Sequence, residues 1–279
     1  MGQFAMGQPV PRTEDPRLLR GRGQYVDDFK LPNECHAYML RSPHSHARIV
    51  RIDAVAARAI PGVIAIYTGD DWVKGGYGQH SIDIPRVRRD GTPQFCPTRH
   101  AIEPNVVKVT GDIVAMVVAE TVNQGKDAAE HIVVEYEPLP AITEGILARD
   151  RGAPVLHEGC DDNESYYFAG GDREAVEKAI ASAYHVTKFK TKINRITANT
   201  MEPRGCIGDY DERFGRYTLY CGTQLPHLIR KTLAADVLGV PETSVRIVSP
   251  DVGGSFGMKQ GNAPENHACL WAAKKVGRP

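Results

Sequence analysis

Seven apolar residues in succession, Ile113-Val-Ala-Met-Val-Val-Ala119, constrain this chain more than any other stretch. The turn Gly111-Asp112 precedes them, and their short, β-branched character suits a strand covered on both faces. Such a strand needs other elements over it, and the flanking sequence offers them. Residues 47–53 have partly alternating β-branched character. Asp53 opens a short helix over 54–59, stopped by Pro61-Gly62, and 63–68 is a continuous β-rich run ended by Gly69-Asp70-Asp71. Val106-Val-Lys-Val109 leads into the turn, Asn123 can cap a helix reaching about Ile132, and Val133-Val-Glu-Tyr-Glu137 alternates as a half-buried strand. Strands separated by helices predict a compact mixed unit over residues 21–144.

On either side the pattern changes. Residues 1–20 are polar and marked by Pro9, Pro11 and Pro16, and read as an N-terminal arm. Residues 75–97, rich in Gly, Pro and Arg, read as loop, and residues 145–171, acidic and glycine-bearing without a period, as a linker. A second unit over 172–279 opens with Asp172 capping a helix at 173–183. Strand candidates follow at 185–192 and 216–220, with Asp211-Glu-Arg-Phe-Gly215 as a hairpin-like turn.

Composition narrows the classes of function. The 34 Lys and Arg balance 34 Asp and Glu, so nothing points to a nucleic-acid or anionic-membrane partner. No stretch approaches the roughly 20 apolar residues of a membrane span. The start is too short and polar for a signal peptide, so a cytoplasmic location is expected. The six cysteines are scattered without a Cys-x-x-Cys pair and read as reduced, mostly buried thiols rather than a zinc or iron–sulfur site. The pair His44-Ser-His46 has no third ligand in sight, so no metal is expected there.

Residues 223–261 hold most of the chemistry. Thr223 can serve as N-cap, Pro226 suits a first helical turn, and Gly239 suits the C-terminal stop. Leu225, Ile229, Leu233 and Val237, at i, i+4 spacing, give that helix one buried face. The Gln224 amide then lies at the positive end of a helix, where donors converge on an anion or an oxo ligand. From the residues alone, a polar side chain serving the cap is the favoured reading. Val245-Arg-Ile-Val-Ser249 reads as a strand, Val252-Gly-Gly-Ser-Phe-Gly257 as a glycine-rich loop, and 263–275 as a helix. That order can cradle a phosphate with backbone N–H groups. It matches neither Gly-x-Gly-x-x-Gly nor Gly-x-x-x-x-Gly-Lys-Ser/Thr, so an ordinary tight turn stays open.

Three motifs in order resemble the molybdopterin-binding large subunit of the xanthine dehydrogenase, aldehyde oxidase and aerobic carbon monoxide dehydrogenase family. They are Met201-Glu-Pro-Arg-Gly205, Arg216-Tyr-Thr-Leu-Tyr-Cys-Gly-Thr-Gln224 and Val252-Gly-Gly-Ser-Phe-Gly-Met-Lys259. The segments 12–28, Arg41-Ser-Pro-His-Ser-His-Ala-Arg48 and 111–120 resemble that family's hammerhead domain. The resemblance implies an α+β fold: a hammerhead-type α/β domain followed by the first part of a molybdopterin-binding α/β domain. It also implies that Gln224 sits beside molybdenum and hydrogen-bonds its apical oxo ligand. Gly253, Gly254, Ser255, Phe256 and Gly257 then form the loop that touches the pterin. No metal ligand from the protein is expected. Ser255 departs from the family's usual third glycine, where a side chain could crowd the cofactor or strain the backbone. Met258 and Gln260 also depart, and Gln260 stands where purine-oxidising members carry a glutamate, which argues against a purine.

The implied activity is a molybdenum hydroxylase component oxidising an aldehyde, an N-heterocycle or a small gas, with water as the oxygen source. Its cofactor is molybdenum-molybdopterin, with the cytosine dinucleotide as the bacterial form. Electrons pass to an iron–sulfur small subunit and an FAD-binding medium subunit. Two other readings stay open: a non-catalytic fragment or split subunit completed by a second molybdopterin-domain chain, and an independent nucleotide-binding protein. The family's glutamate base, in a Gly-x-Gly-Glu context, has no match here, so this chain alone is expected to be inactive.

Overall fold

The computed structural model describes residues 7, 9–79 and 85–279; the rest of the first eight residues of the arm, and 80–84 of the expected loop, lie outside the described residues. Along the chain run α1 (Asp15–Leu18), β1 (His36–Arg41), β2 (Ala47–Asp53), α2 (Val55–Arg58), β3 (Val63–Thr68) and α3 (Gly69–Lys74). Next come β4 (Val106–Val107), β5 (Ile113–Ala119), α4 (Val122–Glu130), β6 (Val133–Pro138) and α5 (Arg173–Ala181). The last are β7 (Cys206–Asp211), β8 (Arg216–Cys221), α6 (Pro226–Thr232), β9 (Val245–Val248) and α7 (Pro264–Val276). Two compact units result: one of residues 36–197 with 235–239, the other of 1–35, 198–234 and 240–279. Among the described residues no helix is long and apolar enough to cross a membrane.

In the first unit β5 is buried along its whole length and lies between β1 and β3, antiparallel to both. A second antiparallel sheet has the order β4-β2-β6. Helix α4 covers one side of the core through Ala128 and Ala129. Its cap is Thr121, whose hydroxyl accepts from the Gln124 N–H, rather than the expected Asn123. Gly69-Asp70-Asp71, expected to end β3, also starts α3, because the Asp71 carboxylate accepts from the Thr68 N–H at 2.9 Å. A side chain at Gly69 would meet the Pro104 backbone at 2.3 Å. Strand β1 had no periodic signature; its pairing with β5 is what makes it a strand. His46 is buried with Nδ1 2.6 Å from the Pro140 carbonyl, and the His44 ring packs on Tyr136.

Residues 145–171 contain one helical turn, Gly145–Leu147. Ion pairs hold them: Glu164 receives Arg89 at 2.8 Å and Arg149 at 3.2 Å, and Asp162 receives Arg88 at 2.6 Å. Asp172 caps α5 as expected, accepting from the Ala175 N–H. The expected strand at 185–192 is absent. That stretch is extended and exposed, and among the described residues no strand pairs with it.

Glu103 gives this unit a titration of its own. Burial pushes its carboxyl up to about 7, opposed by Lys108, whose Nζ lies 3.9 Å away. A carboxyl raised in the folded state contributes stability that is fully present below its ordinary value of 4.5 and is lost as pH rises through about 7. Glu103→Gln is therefore expected to flatten the decline in unfolding free energy between pH 5 and 8. Denaturant melts across that range check this; equal slopes in both proteins would refute it.

In the second unit β7 and β8 pair antiparallel and β8 and β9 parallel, so β9 is an edge. Strand β7 escaped the sequence reading, which placed a strand at 185–192 and only the turn at 211–215. Helix α7 lies against β7 so closely that a side chain at Gly208 would meet the Cys269 backbone at 2.7 Å. It ends on Gly277 in the left-handed region, φ 68°. Helix α6 passes into a wider π-helical segment, Leu233–Leu238, whose last four residues, with Gly239 at φ 62°, are counted with the first unit. Ile229, Leu233 and Val237 are buried as expected, but Leu225 is the N-cap and is exposed.

Candidate cofactor-binding site

The site is built on one buried ion pair. The Glu202 carboxylate accepts from Lys259 Nζ at 2.7 Å, from the Gly253 N–H at 2.8 Å and from the Val26 N–H at 3.3 Å. The Lys259 side chain is 1% exposed and that of Glu202 is 15% exposed. Burial works to raise the Glu202 carboxyl, but Lys259 and the two N–H donors outweigh it, and the net shift is downward. A side chain at Gly253 would come within 2.5 Å of Glu202 Cβ, so this approach requires glycine.

Lys259 also organises Gln224 through its backbone. Its carbonyl accepts from the Gln224 N–H at 3.1 Å and from the Thr223 hydroxyl at 3.1 Å. Thr223 is not the N-cap expected of it: its hydroxyl bridges this carbonyl and the Leu225 N–H. The Ser255 hydroxyl accepts from the Lys259 N–H at 2.9 Å and donates to Gln224 Oε1 at 2.6 Å. The oxygen end of the Gln224 amide is thus held, while Nε2 has no acceptor among the described residues and the side chain is exposed.

The loop places its strain elsewhere than the sequence suggested. Ser255 is buried and has no positive φ; Gly254 (94°), Phe256 (52°) and Gly257 (91°) take the left-handed angles. Phe256 presents its ring to the outside at 82% exposure. Before the loop, Asp251 receives both Arg17 nitrogens, at 2.5 and 2.6 Å, and the Gln24 N–H at 2.8 Å. The Arg17 hydrogen bond, with that N–H, holds the Asp251 carboxyl down at about 2. Sequence reasoning brought Gln224 and residues 253–257 to one place, and they do adjoin. It missed Lys259 as the organising group and Asp251 as the anchor of the arm. The signal was a lone lysine and a lone aspartate flanking a glycine-rich loop.

Residues 20–140 match the aldehyde oxidase and xanthine dehydrogenase a/b hammerhead domain, and residues 156–279 match the molybdopterin cofactor-binding domain. The chain belongs to this aldehyde oxidase and xanthine dehydrogenase family, as a portion of its molybdopterin-binding large subunit. It is 33% identical to the nicotine 6-hydroxylase large subunit of Paenarthrobacter nicotinovorans, over 98% of this chain and 32% of that protein. It is 32% identical to the carbon monoxide dehydrogenase large chain of Hydrogenophaga pseudoflava, over 99% of this chain and 35% of that protein. Quinoline 2-oxidoreductase from Pseudomonas putida 86 superposes with a TM-score of 0.85 at 32% identity, over 99% of this chain and 34% of that one. The chain therefore spans about a third of the length of the relatives it matches.

Proposed function

We propose that the chain is the part of a molybdenum hydroxylase that presents Gln224 and the 253–257 loop to a molybdopterin cofactor. The observation behind this reading is the clamp on Gln224: Ser255 holds Oε1 at 2.6 Å, and the side chain is exposed with its amide donors unused among the described residues. The residues fit such a group. The exposed Gln224 side chain, its oxygen held by Ser255, offers amide donors that suit an electron-rich acceptor. When bound, the cofactor supplies the two-electron oxidation of a carbon substrate with water as the oxygen source.

The chain's own contribution is orientation. Glu202 and Lys259 fix the loop, Ser255 fixes the Gln224 amide, and Phe256 offers an apolar ring. An aldehyde, an N-heterocycle or a small gas as substrate, the cytosine dinucleotide form, FAD and iron–sulfur partner chains and a cytoplasmic location belong to this proposal. So does a role for residues 145–171 as the connection between hammerhead and cofactor domain. The Gly-x-Gly-Glu context expected for a glutamate base has no match in residues 1–279, and inactivity of the isolated chain belongs to the same proposal. Expressing residues 1–279 alone and with a chain supplying the rest of a large subunit tests it. Molybdenum, pterin and dye reduction are expected only in the assembled form; stoichiometric metal with turnover in the isolated chain would overturn the inactivity.

Ser255→Ala tests the clamp without any cofactor. The Gln224 side-chain amide, identified in 15N-glutamine spectra by its absence from Gln224→Ala, is expected to shift and to exchange faster with water once Oε1 is released. An unchanged Gln224 resonance in Ser255→Ala would show that the hydroxyl does not hold it. In the assembled enzyme the same variant is expected to lower kcat by roughly tenfold, about one hydrogen bond's worth.

A further inference from the structure

We propose that the cleft between α6 and the edge strand β9 binds a nucleotide-sized organic phosphate. The cleft has a volume of about 490 Å³, and Arg216, Arg230, Arg246 and His227 line it. Arg230 is held by Glu242 at 3.1 Å, whereas Arg216 and Arg246 are exposed and take part in no ion pair among the described residues. The sheet register puts both on one face. Thr218 on β8 is the partner of Arg246 on β9, and Arg216 lies two residues before Thr218, so both guanidinium groups leave the same face of adjacent strands. That face is the reverse of the one on which Tyr217 and Leu219 are buried.

A phosphate matches the planar donor fork of such guanidinium groups. Bare phosphate would leave most of the cleft empty. Pro226 and the His227 ring also line the cleft, and the volume lies in the range of small-molecule sites. A cationic end and room beside Pro226 and His227 for a ring together suit a nucleoside phosphate. The cleft shares no residue with the Gln224–Ser255 site, so its test stands or falls apart from that reading.

Calorimetric titration of the chain with CDP, ADP and inorganic pyrophosphate, in about 50 mM salt, tests the site. Saturable binding of at least one nucleotide is expected, weakened roughly tenfold by Arg246→Ala and by Arg216→Ala, and weakened again at about 500 mM salt. Pyrophosphate is expected to bind more weakly than that nucleotide, and Gln224→Ala to leave the affinity unchanged. Both arginines are exposed, so their removal should leave the circular dichroism melt as it was. No saturable heat with either nucleotide up to about 5 mM would overturn the proposal. So would nucleotide affinity unaltered in the double arginine variant, affinity lost in Gln224→Ala, or pyrophosphate binding as tightly as the nucleotide.

Discussion

Replacing Glu202 by alanine is expected to destabilise the chain by roughly 3–5 kcal/mol, the scale for removing one partner of a buried ion pair. Lys259 would keep its charge at 1% exposure with its carboxylate gone, and the N–H groups of Gly253 and Val26 would lose their acceptor. Urea unfolding at pH 7 measures the loss. Adding Lys259→Met to Glu202→Ala is expected to recover part of it, because the orphaned charge goes too. The pH dependence has a definite sign. The Glu202 carboxyl is held below its ordinary 4.5, so its contribution is present above that value and disappears as pH falls through the lower folded value. The gap between wild type and Glu202→Ala should therefore close on acidification. A cost under about 1 kcal/mol at pH 7 would place this pair among ordinary surface bridges.

The other large effect is expected at Gln224. In an assembled, molybdenum-loaded enzyme, Gln224→Ala should lower turnover by about 10²-fold, the scale for removing one preorganised donor at a reacting centre. The backbone bond from the Gln224 N–H to the Lys259 carbonyl survives the substitution, so the loop should stay in place and molybdenum content should change little. Coupling to Ser255 gives a second measurement. If the hydroxyl acts through the Gln224 amide, Ser255→Ala should have little further effect once Gln224 is alanine. Full turnover in Gln224→Ala at full metal loading would remove the residue from the site.

Stability and chemistry meet in these two variants because one short segment serves both. Lys259 neutralises Glu202 with its side chain and holds Gln224 with its carbonyl. A substitution at Lys259 would therefore mix folding with function, and Glu202 and Gln224 separate them better.

The periodic elements are legible in the amino-acid sequence itself. The apolar run at 113–119 is the buried centre of its sheet, Asp172 caps its helix, and Gly239 ends the segment after α6. Each depends on neighbours in sequence: residue type, spacing, and a backbone angle that favours glycine. The glycine loop and Gln224 were legible as a pair only because their motifs resemble a family in order. Nothing local required Gln224 to be more than part of a cap.

Tertiary structure decided the rest. Strand β1 exists because β5 pairs with it, and residues 185–192, a strand candidate by sequence, form no strand because no described strand lies beside them. Thr223 gave up the cap position to bond a carbonyl 36 residues later. Ser255, flagged from sequence as a source of strain, is the residue that orients Gln224, and the left-handed angle fell on Phe256 instead. Local sequence specifies what a segment can do with its own backbone, but a strand, a buried ion pair and a shared hydrogen bond each need a partner. Where that partner is distant along the chain, only the folded arrangement supplies it.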